Sequence, residues 1–140
     1  MKRIVSIDYG TKRVGLAVTD PLQIIATKLD VVHSKDVIDF LINYNKTEGI
    51  ELFVVGEAKK LDNTNSDSMK HIIPFVNRLK KVFPDINVEM IDERFTSVIA
   101  QQAIIAAGVK KMARRNKERV DLVSAVLILQ TYLEKRNNLL

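Results

Sequence analysis

The chain lacks cysteine and tryptophan, and it contains only three prolines and five glycines among 140 residues. The absence of cysteine excludes disulfide bonds and thiolate metal sites. No run approaches the roughly 20 apolar residues of a membrane-spanning helix, and the opening MKRIVSID lacks the apolar core of a signal peptide. There is also no repeat and no Pro/Gly/Ser-rich linker. We therefore expect a single domain over residues 1–140, located in the cytoplasm and without a membrane partner.

Positive charge is distributed unevenly along the chain, whose formal net charge is +5. Residues 108–121, GVKKMARRNKERVD, contain six cations and two acids and so carry +4 of this charge. A localised basic patch is typical of proteins that bind a polyanion such as nucleic acid, although a solvated loop gives the same pattern. The candidate nucleic-acid-binding residues of this segment are Lys110, Lys111, Arg114, Arg115, Lys117 and Arg119.

The hydrophobic pattern predicts three strands first, and alternating helices and strands afterwards. The predicted strands cover 3–8, 14–19, about 23–32, 51–56 and 86–91, and the predicted helices cover 35–47, 66–83, Thr96 or Ser97 to Gly108, and about 117–136. This order implies an α/β fold with a mixed sheet, in which an antiparallel meander joins parallel βα units. We expect Ser34 to cap the first helix, and Gly10 to adopt a positive φ in the first turn.

Several acids occupy positions where ligand sites form in α/β sheets. Asp8 ends the first strand, Asp92 and Glu93 follow a later strand, and Asp121 lies near the start of the last helix. Such positions gather at one edge of the sheet. Each acid alone also fits a helix cap or a turn, but converging carboxylates repel one another unless a cation is present. Oxygen ligands favour Mg²⁺ or Mn²⁺, and a two-metal site of this kind hydrolyses phosphodiester bonds.

Basic and aromatic residues lie beside these acids in the sequence. Lys12 and Arg13 follow the first acid and could neutralise phosphate charge, and Arg94 could clamp a phosphate or orient the acid before it. Tyr9 and Phe95 are the candidates for stacking on bases. The sequence has no Walker A loop, no GxGxxG loop and no serine elbow, which argues against nucleotide binding and serine hydrolase chemistry.

Four segments together resemble the YqgF family, whose members are described as pre-16S rRNA nucleases and as Holliday-junction-resolvase-like proteins. The segments are DYGTKRVGLAVTDP (8–21), VVG (54–56), DERFTS (92–97) and RVDLVSAVLILQTYL (119–133), set at family-like spacing over essentially the whole chain. The resemblance implies an RNase H-like fold with a five-stranded mixed sheet flanked by helices. It also implies a metal-dependent nuclease site in which Asp8, Glu93 and Asp121 hold the metal ions and carry catalysis.

The sequence departs from the family pattern after VVG. Many members have an apolar residue and a proline there, whereas this chain continues Gly56-Glu57-Ala58-Lys59. Glu57 thus follows the central strand directly, near the position of a catalytic acid in junction resolvases of this fold. Glu93 is our predicted second acid, and Glu57 is either an additional contributor or an exposed loop residue.

The sequence leaves several functions open. The first is a Mg²⁺- or Mn²⁺-dependent endonuclease that processes precursor 16S rRNA during ribosome biogenesis. The alternatives are a resolvase of branched DNA and a non-catalytic RNA-binding assembly factor. The DYGT turn also resembles phosphate-binding turns of sugar-kinase and actin-like ATPases, but those need two such domains, for which 140 residues are too few. Both a monomer and a homodimer are compatible with the sequence.

Overall fold

The computed structural model describes residues 2–57, 69–92 and 117–138, and of residues 117–122 and 138 it describes the backbone alone. The strands in these ranges are β1 (Arg3–Tyr9), β2 (Arg13–Thr19), β3 (Ala26–His33), β4 (Ile50–Glu57) and β5 (Asn87–Asp92). The helices are α1 (Val37–Thr47), α2 (Met69–Val82) and α3 (Lys117–Asn138). Within the described ranges, no helix has the length and apolar character needed to cross a bilayer.

The strands form one mixed sheet in the order β3-β2-β1-β4-β5. The first three strands pair antiparallel, whereas β4 pairs in parallel with both β1 and β5. The parallel pairs arise because α1 carries the chain from β3 to β4, and α2 lies between β4 and β5. The predicted meander joined to two parallel strands is confirmed.

Helices cover both faces of this sheet. On one face, which we call the α1/α2 face, helices α1 and α2 pack on strand residues such as Val5, Leu16 and Phe53. On the other, the α3 face, the helix residues Ala125, Ile128, Leu129 and Leu133 pack on the strand residues Ile4, Ala17, Val54 and Ile91. Because successive strand residues point to opposite faces, these two clusters assign the remaining strand positions to a face.

The outer strand β3 has an irregular pairing with β2. The register shifts between Leu16 and Ala17, which leaves Leu29 as an extra residue on β3. This is a β-bulge, and it twists the strand locally. Next to the bulge, the Asp30 carboxylate accepts the backbone N–H of Val31 at 2.7 Å.

Strand β3 begins at Ala26 rather than near residue 23, because the preceding residues form a closed loop. The Asp20 carboxylate accepts three backbone N–H groups of this loop, those of Leu22, Ile24 and Ile25, at 3.1, 2.8 and 2.7 Å. These bonds lower the pKa of Asp20, with the bond from Ile25 as the largest cause. A side chain that accepts three local N–H groups offers the backbone an alternative to strand pairing.

The predicted helix boundaries are partly correct. Helix α1 begins at Val37 after Asp36, which makes no side-chain capping bond, so the predicted cap at Ser34 is wrong. Ser34 donates its hydroxyl instead to the carbonyl of Thr11, at 2.6 Å, in the turn between β1 and β2. Gly49 follows the end of α1, with φ +81°. The predicted start of α2 at residue 66 and the predicted helix ending at Gly108 lie outside the described residues.

Candidate functional site

Strands β1, β4 and β5 run in the same direction and end at the same edge of the sheet, which we call the carboxyl edge. Asp8 is half-buried near the end of β1, Glu57 ends β4, and Asp92 ends β5. Ligands of open α/β sheets bind outside this edge. The described strand-end acids therefore gather where a site is expected.

Asp8 lies on the α3 face of the sheet. Its neighbours in the strand, Ile7 and Tyr9, pack on the α1/α2 face, where the Tyr9 ring stacks on that of Phe75 with centroids 4.3 Å apart. The strand alternates, so Asp8 lies on the opposite face. The interpretation of Tyr9 as a base-stacking residue beside Asp8 is wrong, because its ring packs against the core on the other face.

Two glycines flank Asp8 on the sheet. Gly15 of β2 is its direct partner in the antiparallel register. On the other side, Ile7 pairs with Val55, so that the next residue of β4, Gly56, is level with Asp8. The positions level with Asp8 on both neighbouring strands therefore carry no side chain.

The other two described acids of the carboxyl edge lie on the opposite face from Asp8. Glu57 and Asp92 pair with one another at the ends of β4 and β5. Val55, two residues before Glu57, packs on the α1/α2 face, and Ile91, which precedes Asp92, packs on the α3 face. Strand alternation places both acids on the α1/α2 face. This placement favours the interpretation of Glu57 as a residue outside the Asp8 site.

Helix α3 runs antiparallel to β1, and two polar contacts define its direction. In its first half, the carbonyl of Ala125 accepts the Ser6 hydroxyl of β1 at 2.7 Å. Near its end, the Arg136 guanidinium donates to the Gln23 carbonyl at 2.9 Å. Gln23 lies at the opposite edge, because its amide donates to the carbonyl of Lys2 at 3.1 Å. The amino end of α3 therefore lies toward the carboxyl edge.

Asp121 lies four residues before Ala125 in α3, which is one helical turn nearer to the carboxyl edge. Its backbone therefore lies toward the end of β1 that carries Asp8. The side chain of Asp121 is outside the described part of the structure.

The turn after β1 depends on Gly10, although for a different reason from the one predicted. Gly49 is the one described glycine with a positive φ, so the predicted positive φ of Gly10 is wrong. A Cβ atom at Gly10 would lie 2.5 Å from the carbonyl oxygen of Arg13. The turn needs glycine because the chain approaches itself this closely.

The two predicted cations of this turn occupy different environments. Lys12 is exposed, and its carbonyl accepts the N–H of Ser34 at 3.2 Å. Arg13 is half-buried at the start of β2, two residues before Gly15 and therefore on the α3 face. It is diagonal to Asp8 across the strand pair, a relation in which Cα atoms lie about 7–8 Å apart and long side chains reach one another. Arg13 is therefore well placed to approach a ligand of Asp8.

Most of the remaining predicted site residues lie outside the described side chains. Lys117 and Arg119 belong to α3, where only their backbone is described. Residues 93–116 lie outside the described ranges, and they include Glu93, Arg94, Phe95, Lys110, Lys111, Arg114 and Arg115. Among the residues that are described, no three His, Cys, Asp or Glu side chains come together in a group that could hold a metal. The metal site stays a prediction.

Two residues that shape this part of the molecule had no role in the prediction from sequence. Ser6 is fully buried and joins β1 to α3, and its signal was a single polar residue inside an apolar strand. Gly56 is level with Asp8, and its signal was a glycine at the end of a buried strand. Neither sequence feature predicts which residue lies beside it, because that residue belongs to another element and depends on how the two elements align.

Comparison with known proteins places the chain among nucleases. The profile of the family described as "RuvX: Holliday junction resolvase" matches residues 2–135. A protein of Phocaeicola vulgatus is 52% identical over 136 residues, which cover 97% of this chain and 98% of the relative. A protein of Porphyromonas gingivalis is 50% identical over 134 residues, which cover 96% of this chain and 97% of the relative. Both carry the name "Putative pre-16S rRNA nuclease".

A similar solved structure is that of T. thermophilus RuvC in complex with a Holliday junction substrate. It matches with a TM-score of 0.61 over 98% of this chain and 96% of that chain, at 18% sequence identity. At this identity the likeness concerns the fold alone. It confirms the expected RNase H-like fold with its five-stranded mixed sheet.

Proposed function

Because this chain belongs to the RuvX family, a family of nucleases, we propose that it is a divalent-metal-dependent endonuclease that processes precursor 16S rRNA. The name of the two bacterial relatives supports the RNA substrate. The family description, together with the Holliday junction bound by RuvC, supports the second candidate, a resolvase of four-way DNA junctions. Both substrates are found in the bacterial cytoplasm, where we expect the protein to act, in the first case during ribosome biogenesis.

One observation carries this proposal. Asp8 lies near the end of a central strand, on the α3 face and between two glycine positions, and the amino end of α3 lies toward the same edge. In this setting the residues level with the carboxylate on both neighbouring strands are glycines, and helix α3 can bring further acids toward it. The arrangement fits a site for a phosphodiester better than a strand-end cap.

The donor chemistry fits Mg²⁺ or Mn²⁺. Asp8 offers carboxylate oxygens, which are the ligands that these hard cations prefer, and the chain has no cysteine to select a softer metal. In our proposal Glu93 and Asp121 complete the ligand set. Two ions bound by such residues supply an activated water and stabilise the leaving oxygen of the phosphodiester.

The cations around this edge bind the substrate in our proposal. Arg13 reaches a phosphate at the Asp8 site, and Lys12 contacts a more distant phosphate from its exposed position in the turn. Arg94 and the basic segment extend the track along the nucleic-acid backbone, and the residues of that segment are Lys110, Lys111, Arg114, Arg115, Lys117 and Arg119. Each phosphate neutralised in this way adds to the salt dependence of binding.

The proposal is tested by incubating the protein with precursor 16S rRNA and with a four-way DNA junction, in Mg²⁺, in Mn²⁺ and without metal. We expect metal-dependent cleavage of the RNA. Asp8→Asn and Asp121→Asn should each lower the rate by more than about 100-fold, because replacing even an outer partner of a metal ligand costs 10–100-fold. Asp39→Asn is the matched control, since Asp39 is an exposed acid in the first turn of α1.

The outcomes separate the candidate functions. Cleavage of the junction with intact RNA identifies a resolvase. RNA binding without cleavage of either substrate identifies an assembly factor. Cleavage that persists in both Asp8→Asn and Asp121→Asn contradicts the assignment of the site.

A further inference from the structure

Helix α3 lies on the sheet through contacts that have little directional preference. Its described buried side chains are apolar except for that of Thr131, whose hydroxyl donates to the Leu127 carbonyl of the same helix at 2.8 Å. The apolar ones pack on apolar strand residues. Such packing holds the helix against the sheet but is non-directional, so it resists sliding along β1 less than a directional bond does. The position of the helix along its axis is therefore fixed mainly by its polar contacts.

Among the described polar contacts between α3 and the rest of the fold, that of Ser6 lies nearest to the candidate site. Its side chain is 0% exposed, and its hydroxyl donates to the carbonyl of Ala125 at 2.7 Å. That carbonyl lies inside α3, and its second lone pair accepts the serine while the first serves the helix. The short side chain reaches the helix backbone because the residue opposite it on β2 is Ala17, which is also small.

The Ser6–Ala125 hydrogen bond fixes how far Asp8 and Asp121 each lie from a shared reference point along the sheet. Asp8 lies two residues beyond Ser6, which is about 6.6 Å along a strand. Asp121 lies four residues before Ala125 in an antiparallel helix, which is about 6 Å along a helix axis. Starting from the shared hydrogen bond, both acids are displaced by nearly the same distance toward the carboxyl edge.

From this relation we infer that Ser6 is a positioning residue, which sets the register of α3 on β1 and thereby holds the Asp121 turn level with Asp8. The inference rests on the proposed function for its catalytic consequence. The register itself is a property of the fold and is measured separately.

The register is measured by spin labelling. The chain has no cysteine, so nitroxide labels attach only to introduced residues. Asp39→Cys on α1 and Lys135→Cys on α3 are both exposed positions, on helices that cover opposite faces of the sheet. Pulsed EPR then reports the distance between the two labels in metal-free protein. We expect Ser6→Ala to shift or broaden this distance distribution.

Thr19→Val is the matched control. Thr19 is also 0% exposed and lies on the α3 face, two residues after Ala17, but its hydroxyl accepts the N–H of Ile4 at 3.0 Å within the sheet. Both substitutions remove one buried hydroxyl, and each should lower Tm by a similar amount, about 3–5 °C. Only Ser6→Ala should change the label distance.

The link to the site is measured by Mn²⁺ affinity, using calorimetry on the unlabelled proteins. Ser6→Ala should weaken Mn²⁺ binding by about 10-fold or more, as expected for a group that orients a ligand. Thr19→Val should stay within about 2-fold of the wild type. Ser6→Cys replaces the hydroxyl with a thiol, which is a weaker hydrogen-bond donor. The Mn²⁺ affinity of this variant should therefore lie between those of the wild type and Ser6→Ala.

The results decide the two proposals separately. A wild-type label distance in Ser6→Ala, or an equal shift in Thr19→Val, overturns the positioning role. A shifted distance with unchanged Mn²⁺ affinity also overturns it, because the register then does not affect the site. Wild-type protein that neither binds Mn²⁺ nor cleaves nucleic acid overturns the proposed function, whereas the EPR result still decides whether Ser6 sets the register.

Discussion

The carboxyl edge of the sheet, with Asp8 between two glycines, differs from the opposite edge, where the chain enters β1 and β4 and where α3 ends. At this amino edge, the side chain and backbone of Gln23 join several elements. Its amide donates to the carbonyl of Lys2 and to the carboxylate of Glu51, and it receives two bonds from Arg136. A single residue thus connects β4, α3 and the residue that precedes β1.

The loop around Gln23 is itself held in one conformation. Gln23 has a φ of +59°, in the left-handed region that a non-glycine residue rarely occupies. The Asp20 carboxylate holds the loop from inside, and the outward side chains are apolar, with Leu22, Ile24 and Ile25 each 60–66% exposed. Here hydrogen bonds keep the backbone in place although the apolar side chains remain in water.

The difference shows how the two edges divide their roles. The amino edge uses its polar groups on one another, so its substitutions should change the free energy of unfolding and leave metal binding intact. The carboxyl edge combines an acid with positions that lack side chains, so its substitutions should change metal binding and activity. Five substitutions test this division, and they follow here from the largest expected effect to the smallest.

Asp8→Asn should change function most and should not reduce stability. At a Mn²⁺ concentration 100-fold above Kd, the wild type should gain about 2.7 kcal/mol of stability. The variant should lose most of this gain and should melt at a higher temperature than the wild type without metal, because repulsion between carboxylates is relieved. Thermal melts with and without Mn²⁺ measure both effects. An equal rise in Tm for both proteins contradicts the assignment of Asp8.

Gly10→Ala should cost about 1–3 kcal/mol of stability, because the added Cβ collides with the Arg13 carbonyl and the turn must open. Opening of the turn should also weaken Mn²⁺ binding, since the turn directly follows β1, which carries Asp8. Gly49→Ala is the matched control at the amino edge, where a φ of +81° disfavours alanine. Urea unfolding should show a loss in both variants. Equal Mn²⁺ affinities in the two would contradict the division between the edges.

Arg136→Ala should cost about 1–2 kcal/mol, because two charge-assisted bonds to Gln23 are lost from a half-buried side chain. Arg136→Lys should recover part of this loss, because lysine keeps the charge without the planar fork. Urea unfolding measures both variants. Mn²⁺ affinity should stay within about 2-fold of the wild type, since Ser6 still holds α3 at Ala125, nearer to the site. A larger loss of Mn²⁺ affinity would show that metal binding also depends on contacts at the amino edge.

Asp20→Ala should lower the urea midpoint at neutral pH, and the difference from the wild type should depend on pH. The backbone bonds lower the pKa of Asp20 in the folded protein, with the bond from Ile25 first. The stabilisation is therefore fully present above the ordinary value of about 3.9 and is lost as the pH falls through the lower folded value. Urea midpoints between pH 7 and pH 3 measure this effect. A difference that stays constant over that range would exclude the carboxylate as its source.

Ile24→Ser should have the smallest effect, within about 0.5 kcal/mol, although it removes a large apolar side chain. Ile24 is 66% exposed, and the loop is held by its backbone bonds to Asp20. The measurement is again urea unfolding. A loss above 1 kcal/mol would mean that the apolar side chains themselves support the loop.

The sequence was sufficient for the order of the described strands and helices and for the position of Asp8 near the end of β1. Apolar runs such as RIVSID and ELFVVG have the period and length of strands, and the meander followed from three successive strands. The family resemblance added the five-stranded sheet. These features depend on local patterns that each segment carries within itself.

Other features depend on contacts between distant segments, and the sequence did not reveal them. Ser34 has the chemistry of a helix cap, but the turn at Thr11 offered its hydroxyl a different acceptor. Tyr9 lies beside an acid in the sequence, yet strand alternation sends its ring to Phe75 on the other face. Strand alternation likewise places Glu57 on the α1/α2 face, opposite to the face of Asp8. Glu93 and residues 108–116 of the basic segment lie outside the described residues, and their positions stay predictions.

The bulge at Leu29 has a consequence for how molecules of this protein meet in solution. An outer strand with free N–H and C=O groups is a template on which a second chain can add a strand. In β3 the extra residue breaks that template, the Val31 N–H is already taken by the Asp30 carboxylate, and Lys28 adds an exposed charge. On this side, the sheet is protected against growth into an intermolecular sheet when the protein is concentrated.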